Sequence, residues 1–369
     1  MSAPPPTGSP DPSGSPGSSG SPHPSGGGRC GFVAILGAPN AGKSTLLNRL
    51  TGAKLSIVSP KAQTTRFRVL GILMRDLPAA RDHIEGEGPG EGEGGGGGDR
   101  SGGRAQILLV DTPGIFRPRR RLDRAMVAAA WSGAQDADLD ILLVDARSGV
   151  TDGVREIARV LAQTRGGAAR DGSAGGGSSG GAAPGVPLWV VLNKIDLVPR
   201  PRLLPLAGEL AGLLEAERTL MVSARTGEGL DDLLDALAGA LPEGPFLYPE
   251  DDLTDLPDRL LAAELVREQI FLQTQQEVPY ETTVETENWR EQPDGSVRIE
   301  VTIFVARPGL KAILIGAKGA RIRSIGERAR HALAGLLDRP CHLFLNVKER
   351  AGWDEERARL RAIGLDDQG

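Results

Sequence analysis

Cysteine is scarce. The 369-residue chain has only two, Cys30 and Cys341, near opposite ends. Two thiols so far apart argue against a disulfide framework and against a cysteine metal centre, and they fit a reducing cytoplasm. Long apolar runs are missing as well: no stretch reaches the ~18 residues that make a candidate membrane-spanning helix. The N-terminus is Pro, Gly and Ser without the apolar core of a secretory signal. Nor does one sign of charge dominate. Forty-three Lys and Arg against 48 Asp and Glu leave a net charge of −5, so the chain as a whole has no nucleic-acid signature. Apolar residues are almost absent from 2–28, 85–98 and 166–187, which cannot offset the entropy of ordering and are expected to be flexible. Residues 1–28 read as a disordered extension, and the other two as parts of insertions near 77–104 and 166–187.

What is present lies between these stretches. The apolar run Gly31-Phe-Val-Ala-Ile-Leu36 suits a buried parallel strand and leads into Gly37-x4-Gly42-Lys43-Ser44, then into a helical run from Thr45 to Leu50. Strand, glycine loop and helix in that order make a phosphate cradle. Backbone N–H groups curl around the β-phosphate at the positive end of the helix, Lys43 supplies a charge, and the Ser44 hydroxyl is placed for Mg²⁺. A second apolar strand, Ile107–Val110, ends in Asp111-Thr-Pro-Gly114. Asp111 is expected on the magnesium side, and the Gly114 amide on the γ-phosphate.

A third buried strand, Leu188–Leu192, ends in Asn193-Lys194-Ile195-Asp196. Guanine offers two adjacent donors that one carboxylate accepts together, whereas adenine would leave Asp196 facing an acceptor, a mismatch worth about 10⁴ in selectivity. Asn193 is expected to bond the base and tie down the loop, the Lys194 stem to cover the ring, and the backbone N–H of Ser223-Ala224 to meet guanine O6. The nucleotide site is therefore expected from Gly37, Asn40, Ala41, Gly42, Lys43, Ser44, Thr45, Asp111, Gly114, Asn193, Lys194, Asp196, Ser223 and Ala224. The cofactors are GTP or GDP with Mg²⁺.

These motifs together resemble the Era/TrmE-type branch of translation-related GTPases. The run Ser59-Pro-Lys-Ala-Gln-Thr-Thr-Arg-Phe-Arg-Val-Leu-Gly-Ile72 is similar to the first switch of the Era family. In that family a threonine of this run closes over the magnesium and γ-phosphate; here the candidates are Thr64 and Thr65, with Thr65 preferred. The metal set is then Ser44, Thr65 and Asp111, and the catalytic set Lys43, Asn40, Thr65 and Gly114. Ile115 stands where many GTPases have a water-orienting glutamine, so intrinsic hydrolysis is expected to be slow. Two readings of Asn40 stay open, a ligand for a monovalent cation such as K⁺ and a plain loop residue.

Strand–helix alternation continues with a strand at 141–144 and helices at 152–164, 203–217 and 229–240. This gives a doubly wound α/β P-loop domain over 29–243. After the Pro242-Glu-Gly-Pro245 break, residues 246–369 follow the order α-β-β-α-α-β, with Gly316-Ala-Lys-Gly319 between paired helices. This resembles a type II KH domain. Its glycines let a nucleic-acid strand approach, and Gly316, Ala317, Lys318, Gly319, Arg321 and Arg323 are the expected RNA contacts. From Ala306 to Arg330 there are seven basic residues and one acid, a local positive patch in an acidic chain. Trp353 reads equally as a stacking platform or a core anchor.

The family resemblance implies a cytoplasmic, monomeric GTPase that binds the 3′ end region of small-subunit ribosomal RNA and assists maturation of the 30S subunit, with peripheral membrane association as a further expectation. GTP is expected to order 59–72 and 111–120 against the second domain. The competing reading is a signalling switch whose C-terminal module docks on a protein or an anionic membrane.

Overall fold

The computed structural model describes residues 28–61, 64–77, 103–116, 118, 121–167, 185–275, 277–362 and 365. Of the stretches expected to be flexible, 2–27, 85–98 and 168–184 lie outside the described residues, while 166 and 167 close a helix.

Six strands form the first sheet: β1 (Arg29–Leu36), β2 (Val69–Asp76), β3 (Arg104–Asp111), β4 (Leu139–Asp145), β5 (Leu188–Asn193) and β6 (Arg218–Met221). Their spatial order is β2-β3-β1-β4-β5-β6, parallel throughout except for β2, which runs antiparallel on β3 at the edge. Among the described residues, five helices cover the sheet: α1 (Lys43–Thr51), α2 (Arg121–Gln135), α3 (Asp152–Gly167), α4 (Leu203–Leu213) and α5 (Leu230–Ala240). Side chains alternate along β1 between the two layers. Val33 and Ile35 pack with α1 and α5, whereas Ala34 and Leu36 pack with α3 and α4. A strand buried on both faces is mostly apolar along its length, which is why these runs are legible in the sequence.

The second sheet has three strands, β7 (Thr282–Glu291), β8 (Val297–Val305) and β9 (Cys341–Glu349), with β8 antiparallel to β7 and parallel to β9. Its helices are α6 (Asp258–Gln273), α7 (Pro308–Ile315), α8 (Ala320–Leu337) and the short α9 (Arg357–Ala362). One face of the sheet packs on α6 and α8 through Val266, Ile270, Ile325, Ala329 and Leu333. The order α-β-β-α-α-β is as expected, and α9 is an addition.

Two differences have physical causes. Helix α2 escaped the sequence reading because much of its buried face is alanine and glycine (Ala125, Ala130, Gly133, Ala134), which gives little hydrophobic contrast. Helix α4 ends at Leu213 rather than 217, where Leu214 turns extended and starts the approach to β6.

The two units share a seam. Trp353, Leu360 and Leu365 are buried in the same core that holds Leu122 and Met126 of α2. Trp353 is therefore a core anchor, its indole N–H donating to Glu281 O at 3.3 Å. On the other side, Leu247 and Tyr248 donate backbone N–H to Gln106 Oε1 of β3 at 2.8 and 3.1 Å.

Helix α1 lies close on β2 at Gly71. A Cβ there would sit 2.5 Å from Leu47 Cδ1 and 2.8 Å from Thr51 Cγ2. Replacing Gly71 with Val should destabilise the fold by about 1–3 kcal/mol through overpacking. Urea unfolding should show a lower midpoint at unchanged slope; an unchanged midpoint would mean that α1 is free to shift.

Candidate nucleotide and RNA sites

The loops that follow β1, β3, β4, β5 and β6 meet at one edge of the first sheet, the carboxyl end of its parallel strands. Open α/β sheets bind ligands there. A cleft of about 370 Å³ is lined by Asn40, Lys43, Ser44, Thr65, Gly114 and Lys194, among others.

Gly42 sits at φ 100°, immediately before α1, and a side chain there would collide with the amide of Asn193. The glycine therefore serves both the left-handed backbone and the close approach of the loop that follows β5. The first intrahelical bond of α1 is Leu46 N to Gly42 O at 2.9 Å, so the preceding amides, those of Lys43, Ser44 and Thr45, point free at the helix start. Lys43 is buried, and its ammonium donates to Gly37 O at 3.0 Å and Ala38 O at 3.2 Å. Burial pulls its pKa down to about 8, against the opposing attraction of Asp111.

Asp111 is the hub of the cleft. It is completely buried, and its Oδ2 accepts from Ser44 Oγ at 2.7 Å, Ser56 Oγ at 2.8 Å and Thr65 Oγ1 at 3.3 Å. Ser44 Oγ and Thr65 Oγ1 lie 2.8 Å apart. Asp111 Oδ1 has no hydrogen-bond partner among the described residues. Burial holds the carboxyl above the usual carboxylate range, opposed by Lys43 and the three hydroxyls. Hard oxygen donors converging on a buried, under-satisfied carboxylate fit a small divalent cation such as Mg²⁺. The structure thus brings together Ser44, Asp111 and Thr65; Thr64 and Thr65 both line the cleft, and it is the Thr65 hydroxyl that meets Ser44 and Asp111. Ser56 joins them unforeseen, since it sits in a loop with no motif around it.

Ile115 is buried among α2 and α3, and its amide donates to Gly37 O at 3.3 Å. Gly114 lines the cleft with its amide free of any acceptor among the described residues. The exposed Asn40 has φ 65°, and its carbonyl accepts from Lys194 Nζ at 2.6 Å.

The base-reading loops are tied by Asn193. Its Nδ2 donates to Ala41 O at 2.9 Å, and its Oδ1 accepts from the amides of Lys194 at 2.8 Å and Ala224 at 3.0 Å. In this structure Ala224 N–H donates to Asn193 Oδ1, and Ser223 N–H to Glu228 O at 2.9 Å. Lys194 also pairs with Asp145 Oδ2 at 2.7 Å, which anchors its stem across the cleft. Asp145, at the end of β4, was not foreseen either. Asp196 accepts from Ser223 Oγ at 2.5 Å and from Arg225. Ser223 and Arg225 together hold its carboxyl below the usual range.

In the second unit, Gly316 (φ 69°), Lys318 (φ 51°) and Gly319 (φ 75°) form a left-handed turn between α7 and α8. Arg321 is not extended toward solvent; its guanidinium donates to Ile313 O at 2.7 Å and caps α7. The positive patch is smaller than the sequence suggested, because Arg307 pairs with Glu277 and Glu281 at 2.8 Å each. Lys318, Arg323, Arg328 and Arg330 are exposed and carry no ion pair among the described residues.

Residues 32–169 match the family model described as 50S ribosome-binding GTPase, and 277–354 match that of the KH domain. The GTPase Era of Afipia carboxidovorans is 46% identical over 338 residues, covering 92% of this chain and 94% of that protein. The GTPase Era of Dinoroseobacter shibae is 45% identical and is covered to 96%. The chain belongs to the GTPase Era family. Among solved structures, a variant of Aquifex aeolicus Era bound to GDP·AlF4⁻ superposes with TM-score 0.74 at 36% identity, covering 92% of this chain and 99% of the other. An Era complex with MgGDPNP and nucleotides 1506–1542 of 16S ribosomal RNA matches with the same TM-score and identity. The fold is that of Era, a P-loop GTPase unit followed by a KH unit, and the chain is a GTPase.

Lys43 supplies a test of the phosphate cradle. A lysine at about 8 in the free protein is re-protonated when phosphates arrive, so nucleotide binding takes up a proton wherever the free amine is neutral. GDP affinity should therefore fall with rising pH above about 8, by up to about tenfold per pH unit. Calorimetry at pH 9 in buffers of different ionisation enthalpy should show uptake of nearly one proton. A flat affinity between pH 7.5 and 9.5 would contradict the placement of Lys43.

Proposed function

We propose that this chain is a magnesium-dependent GTP switch that gates an RNA clamp on its KH unit. Its target on this reading is the 3′ end region of small-subunit ribosomal RNA, and its role is to assist maturation of the 30S subunit in the cytoplasm. The reading takes 29–243 as the GTPase domain and 246–369 as the RNA-binding domain, acting as a monomer. The rRNA assignment rests on the solved Era complex with 16S ribosomal RNA and on the KH match.

The observation that carries the gating is the position of Thr65. Its hydroxyl faces Ser44 and Asp111, while both of its chain neighbours are held by the KH side of the seam. Thr64 O accepts from Arg267 Nη2 of α6 at 2.5 Å, and Arg66 Nη2 donates to Pro279 O at 3.3 Å. Lys61 Nζ donates to Phe271 O and Thr274 O at the carboxyl end of α6, and Val58 N donates to Glu268 Oε1 at 3.3 Å. A segment held from both sides cannot change its grip on one without straining the other.

In this scheme Lys43 and the α1 amides hold the β- and γ-phosphates. Ser44, Thr65 and Asp111 would hold Mg²⁺, whose charge would offset the negative charge of the phosphates when bound. Gly114 reports the γ-phosphate, while Asn193, Lys194 and Asp196 select guanine. Ile115 cannot orient water, so hydrolysis is slow without outside help. A monovalent cation beside Asn40 is one source of that help. Gly316, Ala317, Lys318, Gly319 and Arg323 line the RNA clamp, with Arg321 bracing it. A peripheral contact of the same basic face with an anionic membrane is the weaker alternative.

The scheme is tested by RNA affinity in two nucleotide states. The chain loaded with a non-hydrolysable GTP analogue should bind a single-stranded 16S 3′-end oligonucleotide about tenfold better than the chain loaded with GDP. Arg267→Ala should erase that ratio while leaving GDP affinity, which does not call on the Thr65 loop, unchanged, and Gly319→Asp should abolish RNA binding while sparing hydrolysis. Equal RNA affinity in the two states for the unaltered chain overturns the gating. Binding to anionic vesicles that survives Gly319→Asp, without any RNA binding by the unaltered chain, would favour the membrane reading.

A further inference from the structure

Asp196 already has two protein donors. Ser223 Oγ donates to Oδ1 at 2.5 Å, while Arg225 directs Nε and Nη2 at Oδ2 from 3.1 and 2.5 Å. A carboxylate has about four lone-pair sites, and three are taken. Guanine brings two donors to this same carboxylate, its N1–H and its N2 amine, and so needs one acceptor more than remains.

The two protein donors are not equally committed. Ser223 is buried, and its Oγ is itself fixed by the Thr226 amide at 3.1 Å. The Arg225 side chain is 70% exposed, whereas that of Asp196 is 9% exposed. A guanidinium that leaves Asp196 returns to water at little cost, because an exposed ion pair is weak. A serine that leaves would abandon a buried polar contact. The mobile partner is the arginine.

We propose that Arg225 is an intramolecular competitor of guanine for Asp196, and that its displacement lowers the affinity and specificity of the site for guanine nucleotides. This rests on the guanine site described above. Arg225 has two opposed effects on a bound nucleotide. Its charge attracts the phosphates of any nucleotide, regardless of base. Its occupation of Oδ2 opposes only a base with two donors on that edge. Hypoxanthine has the N1–H but no N2 amine, so one acceptor suffices for it and the competition falls away. Comparing GDP with IDP therefore cancels the general electrostatic effect and isolates the competition.

The experiment measures dissociation constants of GDP and IDP in Mg²⁺ for the full chain and for Arg225→Ala and Arg225→Lys. Arg225 is exposed, so both variants should fold, and circular dichroism checks this. In Arg225→Ala the preference for GDP over IDP should rise roughly two- to fivefold, the range an exposed ion pair can hold back. Arg225→Lys, which brings one donor to Asp196 in place of two and so frees the acceptor that guanine lacks, should raise the preference as well, by no more than Arg225→Ala does. The gain should shrink between low salt and 0.5 M NaCl, since the competing pair is screened. An unchanged or reduced GDP-to-IDP preference in Arg225→Ala overturns the proposal, even if both nucleotides bind more weakly. Failure of the unaltered chain to prefer GDP over ADP would instead overturn the guanine site itself.

Discussion

The structure turns on one buried carboxylate. Asp111 stands at the end of β3 without solvent, and a charge in that position is stable only if partners surround it. Three of those partners are hydroxyls from separate segments: Ser44 at the start of α1, and Ser56 and Thr65 from the loop between α1 and β2. Lys43 supplies the compensating charge. The loop carrying Thr65 is thereby drawn over the cleft by the same group that would hold the metal. That carboxylate, together with the direct Ser44–Thr65 hydroxyl contact, fixes the distance between the start of α1 and the loop.

The same loop is also the seam with the KH unit, and here the electrostatics are less comfortable. Arg66 and Arg267 are both buried, and burial together with the nearby Arg267 pulls Arg66 down to about 9. Glu264 engages Arg267 at 2.7 and 2.5 Å, while Arg66 has a carbonyl and the face of Trp353, 5.1 Å from its guanidinium. One nitrogen of each guanidinium has no partner among the described residues. A buried pair of like charges with incomplete hydrogen bonding is weak support for stability. It does give the seam a defined register without making it a permanent core. The apolar part, Trp353 with Leu360 and Leu365, shares a core with Leu122 and Met126 of α2 and holds the units together.

Much of this was legible in the chain, and the reason differs by residue. The phosphate and base motifs could be read because backbone geometry and guanine chemistry demand those residue types at those positions, as Gly42 against Asn193 shows. The strands could be read because they are buried on both faces. Helix α2 could not, since alanine and glycine make a buried face that looks neutral in sequence. Ser56 and Asp145 were missed because their roles come from tertiary approach, Ser56 and Asp111 being 55 positions apart in the chain and Asp145 and Lys194 49. Charge counting overstated the RNA patch, because sequence cannot show that Arg307 folds back on Glu277 and Glu281.

The central claim is that closure over Mg²⁺ and the γ-phosphate is transmitted through residues 58–66 to the carboxyl end of α6. Hydrogen–deuterium exchange on the full chain, with GDP and then with a non-hydrolysable GTP analogue and Mg²⁺, tests this directly. Protection should rise together in 58–66 and in the 271–281 segment, and Thr65→Val should remove both increases. Protection confined to 58–66, with the end of α6 unchanged, would contradict the account.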